Sequence, residues 1–276
     1  MKIHKLANII AIPFALVLFY ILYQTFLEDD STYLIYGMIP AAFLILIYLF
    51  SPQINYWWLK RNPIPVDEKV ISLIEKTNPF YRSLNQEDKQ LFHNRIALYT
   101  EGSAFIAKGM DQDFDVPYDI KMMTAQVPVS LMWLKKDVLM SSFERIVVYK
   151  HAFPSPKFKF LHTAETDIED GVIIFSLEHT EAAYKEPQNF YNPAWHAYAE
   201  AFVKANPNLQ YGNYNESAWE IITQASGFEK KRILDILGFE SVDIIPVLIT
   251  TYFLNKEGLR NTDAQIYESI DKLFKN

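Results

Sequence analysis

Tyr191–Pro207, YNPAWHAYAEAFVKANP, is the stretch on which the reading of this chain turns. Asn192 is a residue type that caps free helical N–H groups, and Pro193 suits the first helical position because its missing N–H has no intrahelical partner there anyway. Asn206-Pro207 stops the run, so the stretch predicts a helix over 193–205. His196 and Glu200 stand four positions apart, about one turn, and therefore share a face. A histidine with a second ligand at that spacing is how a helix presents a metal ion to a substrate.

Upstream, Arg145–Phe153 (RIVVYKHAF) and Gly171–Leu177 (GVIIFSL) are β-branched and aromatic runs of strand length, with Phe153–His162 a loop or hairpin between them. Val66–Lys76 has a short helical pattern. Asn85–Thr100 reads as a helix capped by Asn85, with Glu87 and Asp88 in its first turn and Gly102 closing it. Asp119–Leu134 reads as a helix interrupted by Pro128. Downstream, Ser217–Ser226, Glu229–Leu237 and Val242–Leu254 are helical, and a last helix starts at a capping box, Thr262-x-x-Gln265, and runs through Leu273. A few strands followed by helices make an α+β domain dominated by helix.

At the start of the chain, Ala7–Tyr23 and Tyr33–Phe50 are seventeen and eighteen residues without a charge, each approaching the roughly 20 apolar residues that cross a bilayer. They predict a transmembrane hairpin over residues 1–60, ahead of a soluble domain over 61–276 that begins at the stiff connector Asn62–Pro65. The link between the spans carries Glu28, Asp29 and Asp30, whereas Lys2, Lys5, Lys60 and Arg61 flank the pair. By the positive-inside rule both termini and the soluble domain then face the cytoplasm from the cytoplasmic membrane. Asn55–Trp58 (NYWW) is an aromatic group suited to the membrane interface, and no ionisable residue inside either span points to transport.

Composition excludes several function classes. The chain has no cysteine, which removes disulfides, thiolate zinc sites and cysteine nucleophiles. A net charge of −7 argues against nucleic acid as a partner. Eight glycines in 276 residues, with no G-x-G-x-x-G and no P-loop, argue against nucleotides.

Taken in order, several segments resemble the MtfA-like (Mlc titration factor A) zinc peptidase family. The helix 85–101, the Thr124-Ala125-Gln126 helix, RIVVYKHAF and GVIIFSLE precede YNPAWHAYAEAF, where that family carries NVVxHEFAHxLD; TTYFLNKEGLRNTDAQIYESIDKLF is similar to its closing segment. The resemblance covers about residues 82–275. It implies a zincin-like metallopeptidase fold and places His196 at the first zinc-ligand histidine. Ala197 then stands at the catalytic glutamate of H-E-x-x-H and Glu200 at the second histidine. The third ligand falls at Ile244, with Asp243 the nearest carboxylate.

A zinc peptidase needs a carboxylate to take the proton from the metal-bound water, and that assistance is worth about 10²–10⁴-fold. Ala197 cannot provide it. The expectation is a catalytically inactive, membrane-anchored protein that binds a protein or peptide partner in the former substrate groove, with no cofactor or with zinc weakly held by His196, Glu200 and Asp243. The alternative is an active metal-dependent peptidase with that non-standard site. The residues also have plainer readings: His196 as a buried histidine bonded to Glu200, and Asp243 as a helix N-terminal carboxylate. His93 is alone on its helix, His179 and Glu181 read as loop or strand-end residues with no metal spacing, and Glu220, on a helix after Trp219, is an alternative acid with no better claim than Asp243.

Overall fold

In the computed structural model, residues 6–28, 32–109, 115–135 and 137–275 are described. The chain divides into two compact units, Met1–Ile64 and Pro65–Asn276. Of the expected acidic link Gln24–Thr32, residues 24–28 belong to a helix that runs on to Glu28, and residues 29–31 lie outside the described residues.

The first unit holds α1 (Leu6–Glu28), α2 (Thr32–Leu49) and α3 (Ser51–Arg61). Helix α1 is long and apolar enough to cross a membrane, whereas α2 meets that measure only together with α3, from which it is bent by 62°. Phe19, Phe26 and Tyr48 expose 71%, 87% and 79% of their surface. A skin of such side chains is costly in water and suits lipid contact. Phe14 stacks on Phe43 at 4.9 Å, and Gly37 meets Ile21 and Leu18. Rising numbers on α1 thus face falling numbers on α2, which makes the pair antiparallel. Asn55 accepts a hydrogen bond from the Ala7 N–H at 3.0 Å, satisfying a donor that the first turn of a helix leaves unpaired. The NYWW group therefore lies on a helix, α3, where the Arg61 guanidinium sits 4.0 Å over the Trp57 ring.

The second unit is mostly helical around a small mixed sheet. It begins with α4 (Glu68–Thr77), α5 (Pro79–Arg82), α6 (Gln86–Gly102), β1 (Ala104–Lys108) and α7 (Tyr118–Leu131). Then come β2 (Arg145–Tyr149), β3 (Ala164–Asp167), β4 (Val172–Ser176), α8 (Leu177–Lys185) and α9 (Pro193–Ala205). The chain closes with α10 (Ala218–Ser226), α11 (Lys230–Leu237), α12 (Ile244–Leu254), α13 (Lys256–Thr262) and α14 (Ala264–Leu273). The sheet order is β1-β2-β4-β3, with β1, β2 and β4 parallel and β3 antiparallel at the edge. Its hydrophobic strand β2 buries Ile146 and Val148 completely.

Helix α9 lies at the centre, packed on β3, β4, α7 and α12. Its alanines explain how it fits there: Ala194, Ala197, Ala199 and Ala201 are fully buried, and small side chains let neighbouring backbones approach from several directions. Trp195 fills the space towards α12, stacking on Phe253 at 5.5 Å.

Three sequence expectations are corrected. Pro128 does not interrupt α7, which runs on to Leu131: the Met132 N–H reaches the Pro128 carbonyl at 2.8 Å, and the Ser130 hydroxyl donates to the Gln126 carbonyl at 2.8 Å. Thr262 is no capping residue. It ends α13, its hydroxyl donating to the Gly258 carbonyl, and Asp263 caps α14 by accepting from the Gln265 and Ile266 N–H groups at 2.9 Å. His93 is not alone, since it shares a 2.9 Å hydrogen bond with the Tyr81 hydroxyl.

Candidate functional site

Helix α9 is started by Asn192, whose side chain accepts from the Ala194 and Trp195 N–H groups at 3.0 and 3.1 Å. From that start His196, Glu200 and Lys204 follow at steps of four along one face. They line a cleft of about 210 Å³, closed on its other sides by Glu165 and Thr166 of β3 and by Asp243 at the head of α12. His196, Glu200 and Asp243, the residues implicated by the sequence, thus border one cavity. Ala197 is fully buried in the core, outside the residues that line the cleft.

Each candidate ligand is engaged elsewhere. His196 is buried and shares a 3.0 Å hydrogen bond through Nδ1 with the Tyr191 hydroxyl, so the expected bond to Glu200 is replaced by one to a tyrosine from the preceding loop. Glu200 pairs instead with Lys204 at 2.9 Å. Asp243 caps α12, accepting from the Ile245 N–H at 2.9 Å. The Lys204 ammonium also donates to the carbonyl and hydroxyl of Thr166 at 2.7 and 2.8 Å. Three oxygens thus surround a resident positive charge, and a metal ion beside Glu200 would have to displace it. Zinc needs ligands about 2 Å away; among the described residues no group of three His, Cys, Asp or Glu side chains is placed to hold a metal. The donor set as arranged does not fit zinc.

Burial pushes the His196 imidazole down to about 4; the charges of Glu200 and Asp243 oppose the shift and that of Lys204 adds to it. His196 is therefore neutral near pH 7. An unfolded histidine titrates near 6.5, so the folded state binds fewer protons below that value. The stability contributed by neutral His196 is complete above about pH 6.5 and is lost as pH falls towards about 4, a change of about 3 kcal/mol. Denaturant titrations of the full chain in detergent at pH 7, 5.5 and 4.5 are expected to show this decline, and His196→Phe to flatten it over that range.

Beside the cleft, His162 and Glu165 form a pair the sequence did not reveal. Their side chains are 0% and 5% exposed, with Nε2 and Oε2 2.9 Å apart. Rings of Phe153, Phe158, Phe160 and Phe239 lie 4.4–5.9 Å from the imidazole. Burial pushes the Glu165 carboxyl up, but hydrogen bonds from His162 and Ser155, with the charges of His162 and Lys157, outweigh it and hold the group below its usual range. Lys204 was legible as a third step of four after His196 and Glu200; Glu165 was not, because AETD carries no strand signature. His179 and Glu181 lie on α8 rather than in a loop or at a strand end, with His179 Nδ1 2.9 Å from the Ser176 hydroxyl. Glu220 is exposed on α10, and neither it nor the α8 pair lines the cleft.

No family model matches this chain, and no curated protein matches it.

Proposed function

We propose that this chain is a divergent, membrane-anchored relative of the MtfA-like zinc peptidases in which the catalytic helix has become a binding element. The observation that carries this reading is the Lys204 ammonium, held by Glu200 and by both oxygens of Thr166. A peptidase would keep a metal and a proton-accepting carboxylate along this face; here a lysine supplies the positive charge and Ala197 supplies no base. What remains is a cleft walled by an edge strand and a helix, the kind of surface against which an extended peptide can lie. The antiparallel pair α1–α2 acts as a transmembrane hairpin, with Lys60 and Arg61 on the cytoplasmic side and the link 29–31 outside.

The test uses the full chain in detergent: metal content by elemental analysis, hydrolysis of a casein digest with and without chelator, and retention of the digest peptides. Expected are substoichiometric zinc, no chelator-sensitive hydrolysis and saturable peptide retention. Stoichiometric zinc with chelator-sensitive hydrolysis would sink the proposal in favour of an active peptidase using His196, Glu200 and Asp243.

Lys204→Ala is expected to raise zinc uptake, because it removes the competing charge, while lowering stability by about 1–3 kcal/mol, since the ion pair is 30% exposed on each side and contributes little but buried Thr166 loses the donor to its two oxygens. Zinc titration followed by equilibrium dialysis checks the first point and denaturant unfolding the second. The absence of cysteine makes topology directly accessible: single cysteines placed at Asp30 and at Asn62 are expected to react with a membrane-impermeant maleimide from opposite sides.

A further inference from the structure

A second cavity of about 470 Å³ opens in the soluble unit where the ends of several helices meet: the C-terminal ends of α4, α10 and α12 and the loop leading into α9. Its size falls within the roughly 300–1,000 Å³ of small-molecule sites. Five rings wall it, those of Tyr184, Phe190, Tyr191, Trp195 and Phe228. Gly227 lies on its border in the left-handed region at φ 78°, and a Cβ there would meet nothing within 4 Å.

Charge gives the cavity its selectivity. The whole chain has 33 acidic against 26 basic residues, yet the charged residues lining this cavity are Lys76 and Arg82, with no Asp or Glu among them. Arg232 adds a third cation near the Phe228 wall: its guanidinium lies 5.7 Å from that ring and donates to the Asn189 carbonyl at 2.6 Å. Helix C-termini place an opposing partial charge of about half a unit each. At α4 that charge is partly answered, because the Arg82 guanidinium donates to the Glu75 and Lys76 carbonyls at 3.0 Å. At α10 the Asn255 amide donates to the Ala225 carbonyl. Full cations therefore outweigh the remaining dipole ends.

We infer that this cavity is a binding site for a small aromatic carboxylate of one or two rings, its ring set among the five aromatic side chains and its carboxylate directed towards Lys76 and Arg82. The inference stands apart from the peptide-binding reading, since the two cavities have different linings. They are nonetheless joined: Tyr191 walls this cavity, and its hydroxyl bonds His196 in the charged cleft at 3.0 Å. A ligand stacked on Tyr191 is thus one hydrogen bond from His196, and occupancy of one cavity is communicated to the other.

Three probes of the same shape and different charge test this in the full chain in detergent: 2-naphthoate, 2-naphthalenemethanol and 2-naphthylmethylammonium. Trp195 fluorescence, isolated by comparison with Trp195→Phe, and the ring-proton resonance of His196 are the readouts. Saturable quenching by naphthoate that also moves the His196 resonance is expected, with at least about tenfold weaker binding of the alcohol and the ammonium. Lys76→Glu, at an exposed position whose side chain makes no internal bond among those described, is expected to weaken naphthoate by about three- to tenfold and to leave the alcohol unchanged. The proposal is overturned by absence of saturable naphthoate binding, by ammonium binding as tight as naphthoate, by indifference to Lys76→Glu, or by quenching with no change at His196.

Discussion

Gly238→Ala is expected to lower the thermal midpoint of the second unit by about 10 °C, whereas Gly227→Ala lowers it by about 3 °C. Both glycines end a helix in the left-handed region, at φ 80° and 78°, where an L side chain costs about 1–2 kcal/mol. They differ in surroundings. A Cβ at Gly238 would stand 2.4 Å from the Leu161 carbonyl oxygen and 2.8 Å from the His162 Cα, while one at Gly227 meets nothing within 4 Å. The Leu161–His162 backbone cannot simply yield, because the next residue is tied to α11 twice: the Thr163 N–H donates to the Leu237 carbonyl at 3.0 Å and its hydroxyl to the Ile236 carbonyl at 2.9 Å. Relieving the clash breaks these bonds and shifts His162, raising the total to about 3–5 kcal/mol. Thermal unfolding by near-ultraviolet circular dichroism measures both variants, and equal shifts would refute the close approach.

His162→Phe is the second large effect. Phenylalanine extends the aromatic ring of Phe153, Phe158, Phe160 and Phe239, yet it strips Glu165 of the partner 2.9 Å away. An unpaired buried charge costs about 3–5 kcal/mol. The pH dependence identifies the cause. In the native chain the Glu165 carboxyl titrates below its unfolded value. Its stabilisation is therefore present above about pH 4.3 and is lost as pH falls through the lower folded value. In His162→Phe burial is left with fewer opposing bonds and raises the carboxyl instead, so the deficit relative to the native chain shrinks as pH falls from 7 towards 4. The double variant His162→Phe with Glu165→Leu is expected to recover most of the loss at pH 7. A pH-independent deficit that Glu165→Leu does not repair would mean that ring packing, not the stranded charge, is responsible.

What could be read without the fold follows from local chemistry. Asn192, Pro193 and Asn206 bound α9 because capping and proline geometry depend on residues within a few positions. The same holds for Asn85 at the head of α6, Gly238 at the end of α11 and Asp243 at the head of α12. Where two local signals compete, the reading fails: threonine and aspartate are both residue types that cap helices, and the chain uses Asp263 because α13 runs on to Thr262. Strands β1 and β3 escaped for a different reason. AFIAK and AETD become strands by pairing with β2 and β4, neighbours remote or antiparallel in sequence, and not by composition.

The sequence alone determined that His196 and Glu200 share a helix face, that two apolar runs precede a mostly helical domain with a few strands, and that thiol chemistry is absent. The tertiary structure alone decided what packs over that face. It set Tyr191 against His196, brought Thr166 from β3 to the Lys204 ammonium that Glu200 already meets one turn along the helix, and buried Ala197 in the core. It also assembled the aromatic cavity from segments spread between Lys76 and Asn255. The reason is physical: periodicity fixes direction around one helix axis, but the hydrogen-bond partner and dielectric surroundings of a buried group come from whichever distant segments pack over it.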